Sequence, residues 1–339
     1  MKKIFLPLFF IVLLTAIYIA WNVFGPTVAA PANRYFYIKT GADYAEVKRD
    51  LLEQKIISGN FFFDRIARQV KYNQRVRPGR YEIKAGSLLN LVRMLKSGNQ
   101  SAVRLVINKL RTKEDLAGKI GKNFEVDSSQ VIKFITNNDS LLRYNLDTNT
   151  VITIIIPNSY LFWWNSSLKN ILDRLADQKQ KFWKGARSEK AAALHLTNEQ
   201  VYTIASIVEE ETNKQDDKGK VASTYINRLQ KGMKLEADPT VKYAMRNFGL
   251  KRILYGHLRY ESPYNTYRQP GLPPGPIGTA SINTIDAVLN APKTGYLFFV
   301  AKPDLKGYSN FAATYPEHLV FARAYQQALD SFTLNKTAP

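Results

Sequence analysis

The sequence predicts an α+β protein: an N-terminal transmembrane helix, a small α+β module, and a larger mixed α/β domain. Three observations carry that prediction. Residues 4–24 are almost uninterruptedly apolar, short strand-like and helical segments interleave from 34 to 107, and longer helical segments fill 108–335 around one apolar β-type run and a Pro/Gly-rich loop.

The apolar run follows Lys2 and Lys3 and is broken only by Pro7, Thr15 and Asn22. About 20 apolar residues span a bilayer as a helix, whereas the core of a cleaved signal is roughly half as long. The leading lysines place the N-terminus in the cytoplasm and send the remainder across the membrane. Tyr18 and Trp21 lie toward the far end, where aromatic rings favour the interface. A cleaved signal is the alternative, with Val28 to Ala30 as cut site, but Pro31 would follow that cut directly. Residues 1–25 therefore read as cytoplasmic stub and anchor, and the Pro/Ala-rich residues 26–33 as a tether.

In the module at 34–107, Tyr35 to Lys39 alternates like a strand and Tyr44 to Leu52 has helical spacing. Ser58 is placed to cap a helix through Phe62, Ile66 and Val70. Arg80 to Lys84 reads as a second strand, Ser87 caps a helix that Gly98 ends, and 101–107 forms a third strand. Between positions 31 and 105 there are 15 basic and 6 acidic residues. That surface suits an anionic polymer or the membrane beneath it, and equally a merely solvated basic face. The whole chain has net charge +20, which favours anionic partners without choosing among them.

From Thr112 to Asn145 the signals are helical, with Thr112 and Asp115 spaced as a capping box. Residues 151–164 form the apolar β-type run, turned at Pro157-Asn158-Ser159, and helices follow through Lys190. Thr197 and Gln200 form a second capping box, which opens a helix with Val201, Ile204, Ala205, Val208 and Thr212 on one face. Glu210 falls opposite Val201 and should see solvent, while Glu209 and Glu211 flank the apolar stripe. A carboxylate on such an edge, partly desolvated, holds its proton near neutral pH and can act as a general acid. Taken alone, three consecutive glutamates read more readily as a solvated patch.

Several classes find no support. The chain has no cysteine, which excludes disulfides and thiolate chemistry. Three histidines, His195, His257 and His318, stand far apart without ligand spacing, so no metal is expected. Gly271, Gly275 and Gly278 sit in a proline-rich loop and not after a strand, and there is no nucleophile-elbow motif. No cofactor is called for.

The segments IASIVEEETN, KVASTYINRLQKGMKLEADPTVKYA and SPYNTYRQPGLPPGPIG, in that order, together with IPNSY and the later GYLFFVAKP, resemble the YceG-like family of endolytic murein transglycosylases. The resemblance covers nearly the whole chain and is strongest from Ile154 to His318. It implies a LysM-like subdomain at 34–107 and a YceG-like catalytic domain at 108–335. By position it implies Glu209 as the single catalytic acid/base, with Glu211 and Thr212 supporting it. Asn227 and Arg228 occupy the INRL motif. Asp238 precedes Pro239 as a helix cap or a site residue. Tyr264, Asn265, Thr266 and Tyr267 offer rings and polar groups to a sugar, if the loop is not simply a stiff connection. In one place the sequence departs from the family pattern: Gly307-Tyr308-Ser309-Asn310-Phe311 has Ser309 where many members carry histidine.

The implied reaction is lytic. Glu209 would protonate the oxygen between N-acetylmuramic acid and N-acetylglucosamine, then take the proton of the muramic C6 hydroxyl as it closes onto C1, leaving a 1,6-anhydro end. A muramidase pairing Glu209 with Asp238 or Glu211 is the nearest rival, and a non-catalytic peptidoglycan-binding scaffold is the reading from another class. Expected partners are nascent glycan strands, the cytoplasmic membrane through one span, and peptidoglycan synthases, with no nucleic acid. The catalytic domain is expected on the extracytoplasmic side of the cell (inner) membrane.

Overall fold

A computed structural model describes residues 2–337. The chain forms two compact units: residues 1–105 with 120–127 and 160–167, and residues 106–119, 128–159 and 168–339.

The first unit begins with α1 (Lys2–Phe24), whose apolar side chains from Leu6 onward stand largely exposed, with Leu6–Phe24 long and apolar enough to cross a membrane. Residues 26–33 do not form the free tether expected of them. Val28 is buried and bridges both Ile57 and Gly86, and the Ala29 amide donates to the Ile56 carbonyl, so the chain leaving α1 is stitched into the module. Strand β1 (Tyr35–Ile38) pairs antiparallel with β2 (Gly79–Glu82), Phe36 opposite Tyr81. Around this pair lie α2 (Tyr44–Glu53), α3 (Phe61–Gln69) and α4 (Leu88–Ser97). Two of these helices have a legible cause. Asp43 and Glu46 close a capping box on α2, Ser87 accepts from the Asn90 amide at the start of α4, and Gly98 ends α4 at φ +69°. For α3 the cap predicted at Ser58 is absent: the helix starts at Phe61, with Asn60 before it making no side-chain cap. The core joins Phe36, Phe63, Tyr72, Tyr81, Leu51 and Leu95.

Strand β3 (Val103–Ile107) pairs with β4 (Asn158–Phe162). The apolar run at 151–164 is thus only partly strand. Val151–Ile154 is a buried 3-10 turn, because three buried apolar residues and a buried threonine suit a tight turn in a core as well as a strand. Helices α5 (Lys113–Asn123), α6 (Ser128–Ile135) and α7 (Asn138–Leu141) occupy the stretch between, and Thr112 and Asp115 make their reciprocal cap.

The second unit is built on α10 (Asn198–Glu211), preceded by α8 (Leu168–Trp183) and α9 (Ala186–Ala193). Thr197 and Gln200 cap α10 as the spacing predicts. The sequence suggested one apolar face, yet every residue from Val201 to Val208 is buried. The small and hydroxylic residues on the other faces make this possible. Thr203 returns its hydroxyl to the Glu199 carbonyl, and Ser206 donates to the Thr203 carbonyl while accepting the Ile277 amide at 3.0 Å. Helix α10 is therefore the central rod of the unit. It packs on α11 (Gln215–Gln230), α12 (Asp238–Ala244) and α14 (Ile282–Leu289), with α13 (Tyr255–Leu258) between the last two in sequence. Strands β5 (Phe298–Ala301) and β6 (Ser309–Ala312) form an antiparallel hairpin, Phe299 opposite Phe311, and α15 (Tyr315–Thr337) packs on it.

Candidate active site

Because α10 is enclosed along its length, polar chemistry is confined to its last turn, where Glu209, Glu210 and Glu211 leave the axis about 100° apart. A helix C-terminus is the negative end of the macrodipole and disfavours carboxylates there, so each needs compensation. The three obtain it differently.

Glu209 is held in a polar cradle. Its Oε2 accepts from Lys218 Nζ at 3.2 Å, from Ser281 Oγ at 2.8 Å and from Thr284 Oγ1, while Lys218, only 7% exposed, also donates to Thr284 at 2.6 Å. Burial pushes the carboxyl up, but the hydrogen bonds from Thr284 and Ser281 and the charge of Lys218 outweigh it, and the net direction is below the ordinary carboxylate range. The raised pKa expected for Glu209 is thus not what its surroundings produce. Glu210, expected in solvent, is instead half-buried and ion-paired with Lys109 at 2.6 Å and Arg111 at 3.4 Å. Both basic residues come from the segment before α5, too distant in sequence for helical periodicity to reveal.

Glu211 has no ion pair among the described residues. It accepts a hydrogen bond from the Tyr225 hydroxyl at 2.7 Å. Burial, with the Asp238 carboxylate adding like charge, pushes it up to about 7 despite that hydrogen bond. It lines a cavity of about 320 Å³ together with Tyr225, Arg228, Asp238, Tyr267 and His318. Phe298, Phe299 and Tyr315 supply apolar wall, and Glu236 a further carboxylate. The Tyr267 hydroxyl donates to Asp238 Oδ1 at 2.7 Å, fixing that carboxylate. His318 stacks on Phe298 with ring centres 5.4 Å apart; burial and the nearby Arg228 hold the imidazole below its ordinary pKa. Its Nδ1 is buried with no hydrogen-bond partner among the described residues. A carboxyl whose pKa is raised by burial, a second carboxyl group and an imidazole of lowered pKa share one aromatic-walled cavity, an arrangement suited to acid/base work.

Of the residues singled out from sequence, the fold brings Glu211, Arg228, Asp238 and Tyr267 to this cavity. The remaining ones serve the frame. Asn227 donates to the carbonyls of Thr294 and Tyr296, both at 2.9 Å, tying α11 to the approach to β5. Arg228 lines the cavity but is committed to the Leu297, Lys234 and Leu235 carbonyls and to Glu236. Thr212 ends α10 and accepts the Lys214 amide. Asn265 is fully buried, donating to the Leu258 and Tyr260 carbonyls and accepting the Tyr267 amide, and buried Thr266 binds the Ala237 amide and Thr240. Neither offers a free group to a sugar. Tyr264 packs its ring 4.8 Å from Tyr243, away from the cavity lining. Asp238 is the first residue of α12, one place later than a cap, which frees its side chain for Tyr267. Ser309 stands in β6, its amide bound to Asp217 at 2.7 Å. Sequence reasoning missed Tyr225, Glu236 and His318. The first two flank recognised motifs, so proximity was the available signal. His318, on α15, had none, because only the fold carries that helix to the site.

Residues 36–324 match the model of the YceG-like family. Over 156 residues the chain is 38% identical to an endolytic murein transglycosylase of Bacillus subtilis, covering 45% of this chain and 41% of that protein. It is 35% identical over 111 residues to one of Streptococcus pneumoniae, covering 32% and 20% respectively. The aligned regions thus span well under half of these curated relatives. A crystal structure of a yceG-like protein from Listeria monocytogenes superposes with a TM-score of 0.56 at 25% identity, over 85% of this chain and 99% of that one. With the family match running from β1 into the last helix, the chain belongs to the YceG-like family.

Proposed function

We propose that this protein is a peptidoglycan lytic transglycosylase that cuts between N-acetylmuramic acid and N-acetylglucosamine and leaves 1,6-anhydro ends, with Glu209 as its acid/base. The single observation that carries the choice of residue is the match of residues 36–324 to the YceG-like family, within which Glu209 is the first glutamate of the IASIVEEET segment. At the last turn of α10 its carboxyl is oriented by Lys218, Ser281 and Thr284. Glu211, two residues on, lines the aromatic-walled cavity in support.

In the reaction, protonated Glu209 donates to the glycosidic oxygen as the C1–O bond breaks and positive charge grows at C1. The Glu209 carboxylate then takes the proton of the muramic C6 hydroxyl while that hydroxyl oxygen bonds to C1. The proton given is recovered, no water is consumed, and the nucleophile is intramolecular, so no enzymic one is needed. Lys218, Ser281 and Thr284 steady Glu209 while it is charged. Glu211, Asp238 and Tyr267 line the nearby aromatic-walled cavity, whose rings provide faces on which sugar rings can pack.

The remaining placement follows from family and sequence. The residues 34–107 module, read as LysM-like, would contact glycan. α1 would be retained as an anchor in the cell membrane, with the lysines at its start cytoplasmic and both units outside it. From there the enzyme would meet nascent strands beside the synthases that make them and end their elongation.

The test compares wild type, Glu211→Gln and Glu209→Gln on purified peptidoglycan, with released muropeptides weighed by mass spectrometry. Anhydro products from wild type and none from Glu209→Gln support the proposal. Retained cutting in Glu209→Gln with loss in Glu211→Gln moves the acid role to Glu211. Hydrated reducing ends would instead identify a muramidase, for which Asp238 or Glu211 is the second carboxylate.

A further inference from the structure

The exposed aromatic ring at the tip of α3 has no part in the reaction. Phe61 is 71% exposed and follows the polar turn Ser58-Gly59-Asn60. An isolated exposed phenylalanine needs no explanation, but this one is not isolated. Its neighbour Phe62 meets Tyr18 of α1, ring centres 5.8 Å apart and edge to face. Between them, Tyr18, Asn22, Phe61, Phe62 and Leu88 line an open groove of about 380 Å³. The module is also fastened to the end of α1 by the Val28 bridges to Ile57 and Gly86, so the level of this groove along α1 is set.

That level is informative. The apolar stretch Leu6–Phe24 has 19 residues, about 28 Å of helix at 1.5 Å per residue, close to the thickness of a hydrocarbon core of about 30 Å. Tyr18 stands six residues before Phe24, about 9 Å back along the axis. A ring packed on Tyr18 therefore lies below the outer end of the span, and Phe61 beside it (ring centres 5.2 Å apart) reaches the same depth. Trp21 and Phe24, 61% and 67% exposed, complete an aromatic belt around that end of α1.

Charge supports the same occupant. On α3, Arg65 and Arg68 follow Phe61 at spacings of four and seven, sharing its helical face, and both are exposed. The one acidic residue of that helix, Asp64, accepts hydrogen bonds from Tyr44 and Lys48 and also feels the charge of Arg68. An aromatic tip followed one and two turns later by guanidinium groups matches the order acyl chain, then phosphate, met on leaving a bilayer.

We infer that the tip of α3 is a membrane-docking element: Phe61 enters the outer surface of the bilayer, an acyl chain of an anionic phospholipid fills the groove beside Tyr18, and Arg65 and Arg68 bind its phosphate. The inference rests on α1 being a retained membrane span. It gives the first unit a fixed stance on the membrane instead of a swing on a tether.

The chain has no cysteine, so single-cysteine variants of the full protein report one site each. Phe61→Cys and, separately, Leu14→Cys are labelled with an environment-sensitive fluorophore and reconstituted in phosphatidylglycerol/phosphatidylethanolamine vesicles. Quenching is measured with lipids nitroxide-labelled near the headgroup or at the acyl terminus, and with aqueous iodide. The expected result is a Phe61 probe quenched by the shallow nitroxide, with most of the iodide quenching of the urea-unfolded chain lost, and a Leu14 probe quenched by the deep one. Arg65→Gln/Arg68→Gln in the Phe61→Cys background should weaken the shallow quenching. A deep Leu14 with an iodide-accessible Phe61 overturns the docking element while leaving the anchor intact. A Leu14 probe outside the bilayer overturns the anchor reading itself, and the docking element with it.

Discussion

Replacing Glu211 by glutamine should stabilise the protein at alkaline pH. The carboxyl's rise from 4.5 to about 7 means that the native state binds a proton the unfolded chain has already released. Stability is then fully retained below pH 4.5 and falls as pH climbs through 7, by about 1.4 kcal/mol per pH unit and ~3 kcal/mol in all. Glutamine keeps a carbonyl to accept from Tyr225 and an uncharged group in the cavity, so the variant escapes that loss. Urea unfolding of detergent-solubilised wild type and Glu211→Gln, from pH 5 to 9, reads the difference. The two stability curves should separate progressively up to pH 7 and run parallel above it, with the variant the more stable. Curves that stay parallel from pH 5 onward would refute an elevated Glu211.

Glu209→Gln should abolish cutting and lose ~1–3 kcal/mol of stability, because Lys218 is left buried without its anion; denaturant titration together with the muropeptide assay checks both halves. Tyr225→Phe removes the hydrogen bond that draws Glu211 downward, so the pH range over which stability falls should move upward in the same urea titrations. Asn265→Ala should cost about 2 kcal/mol or more through three lost buried hydrogen bonds, read as a lower unfolding midpoint. Gly278→Ala should also destabilise: the backbone there is at φ +155° and a Cβ would lie 2.9 Å from the Leu110 carbonyl oxygen, a loss that thermal unfolding would register.

Local rules made most of the elements legible, because the signals lay within a turn or two of their effect. The capping boxes at Asp43, Thr112 and Thr197, the glycine stop at Gly98 and the alternation of β1 all act over a few residues. What the sequence withheld depends on distant partners. Periodicity assigned α10 one apolar face, but Ser206 and Thr203 satisfy themselves along the helix, so all its faces can be buried. Glu210 looked solvated because Lys109 and Arg111 are a hundred residues away. Asn265 and Thr266 looked like sugar ligands because polar residues beside aromatic ones fit a binding loop, yet they serve as its internal struts.

The choice among the three glutamates shows why motif and residue are different levels of inference. The motif was recognisable as a string, but its members sit on a helix end whose dipole disfavours all three charges equally. Only the neighbours brought in by the fold break that equivalence. Lys218 on α11 with Ser281 and Thr284 at α14 neutralises Glu209, and Lys109 with Arg111 neutralises Glu210. Glu211 receives a phenol, a nearby carboxylate and a cavity. Two carboxylates with basic partners within ion-pair distance and one without give a single helical turn three different settings, which position along the helix does not predict. The basic partners of Glu209 and Glu210 tie α10 to its neighbours, while burial pushes the Glu211 carboxyl up to about 7.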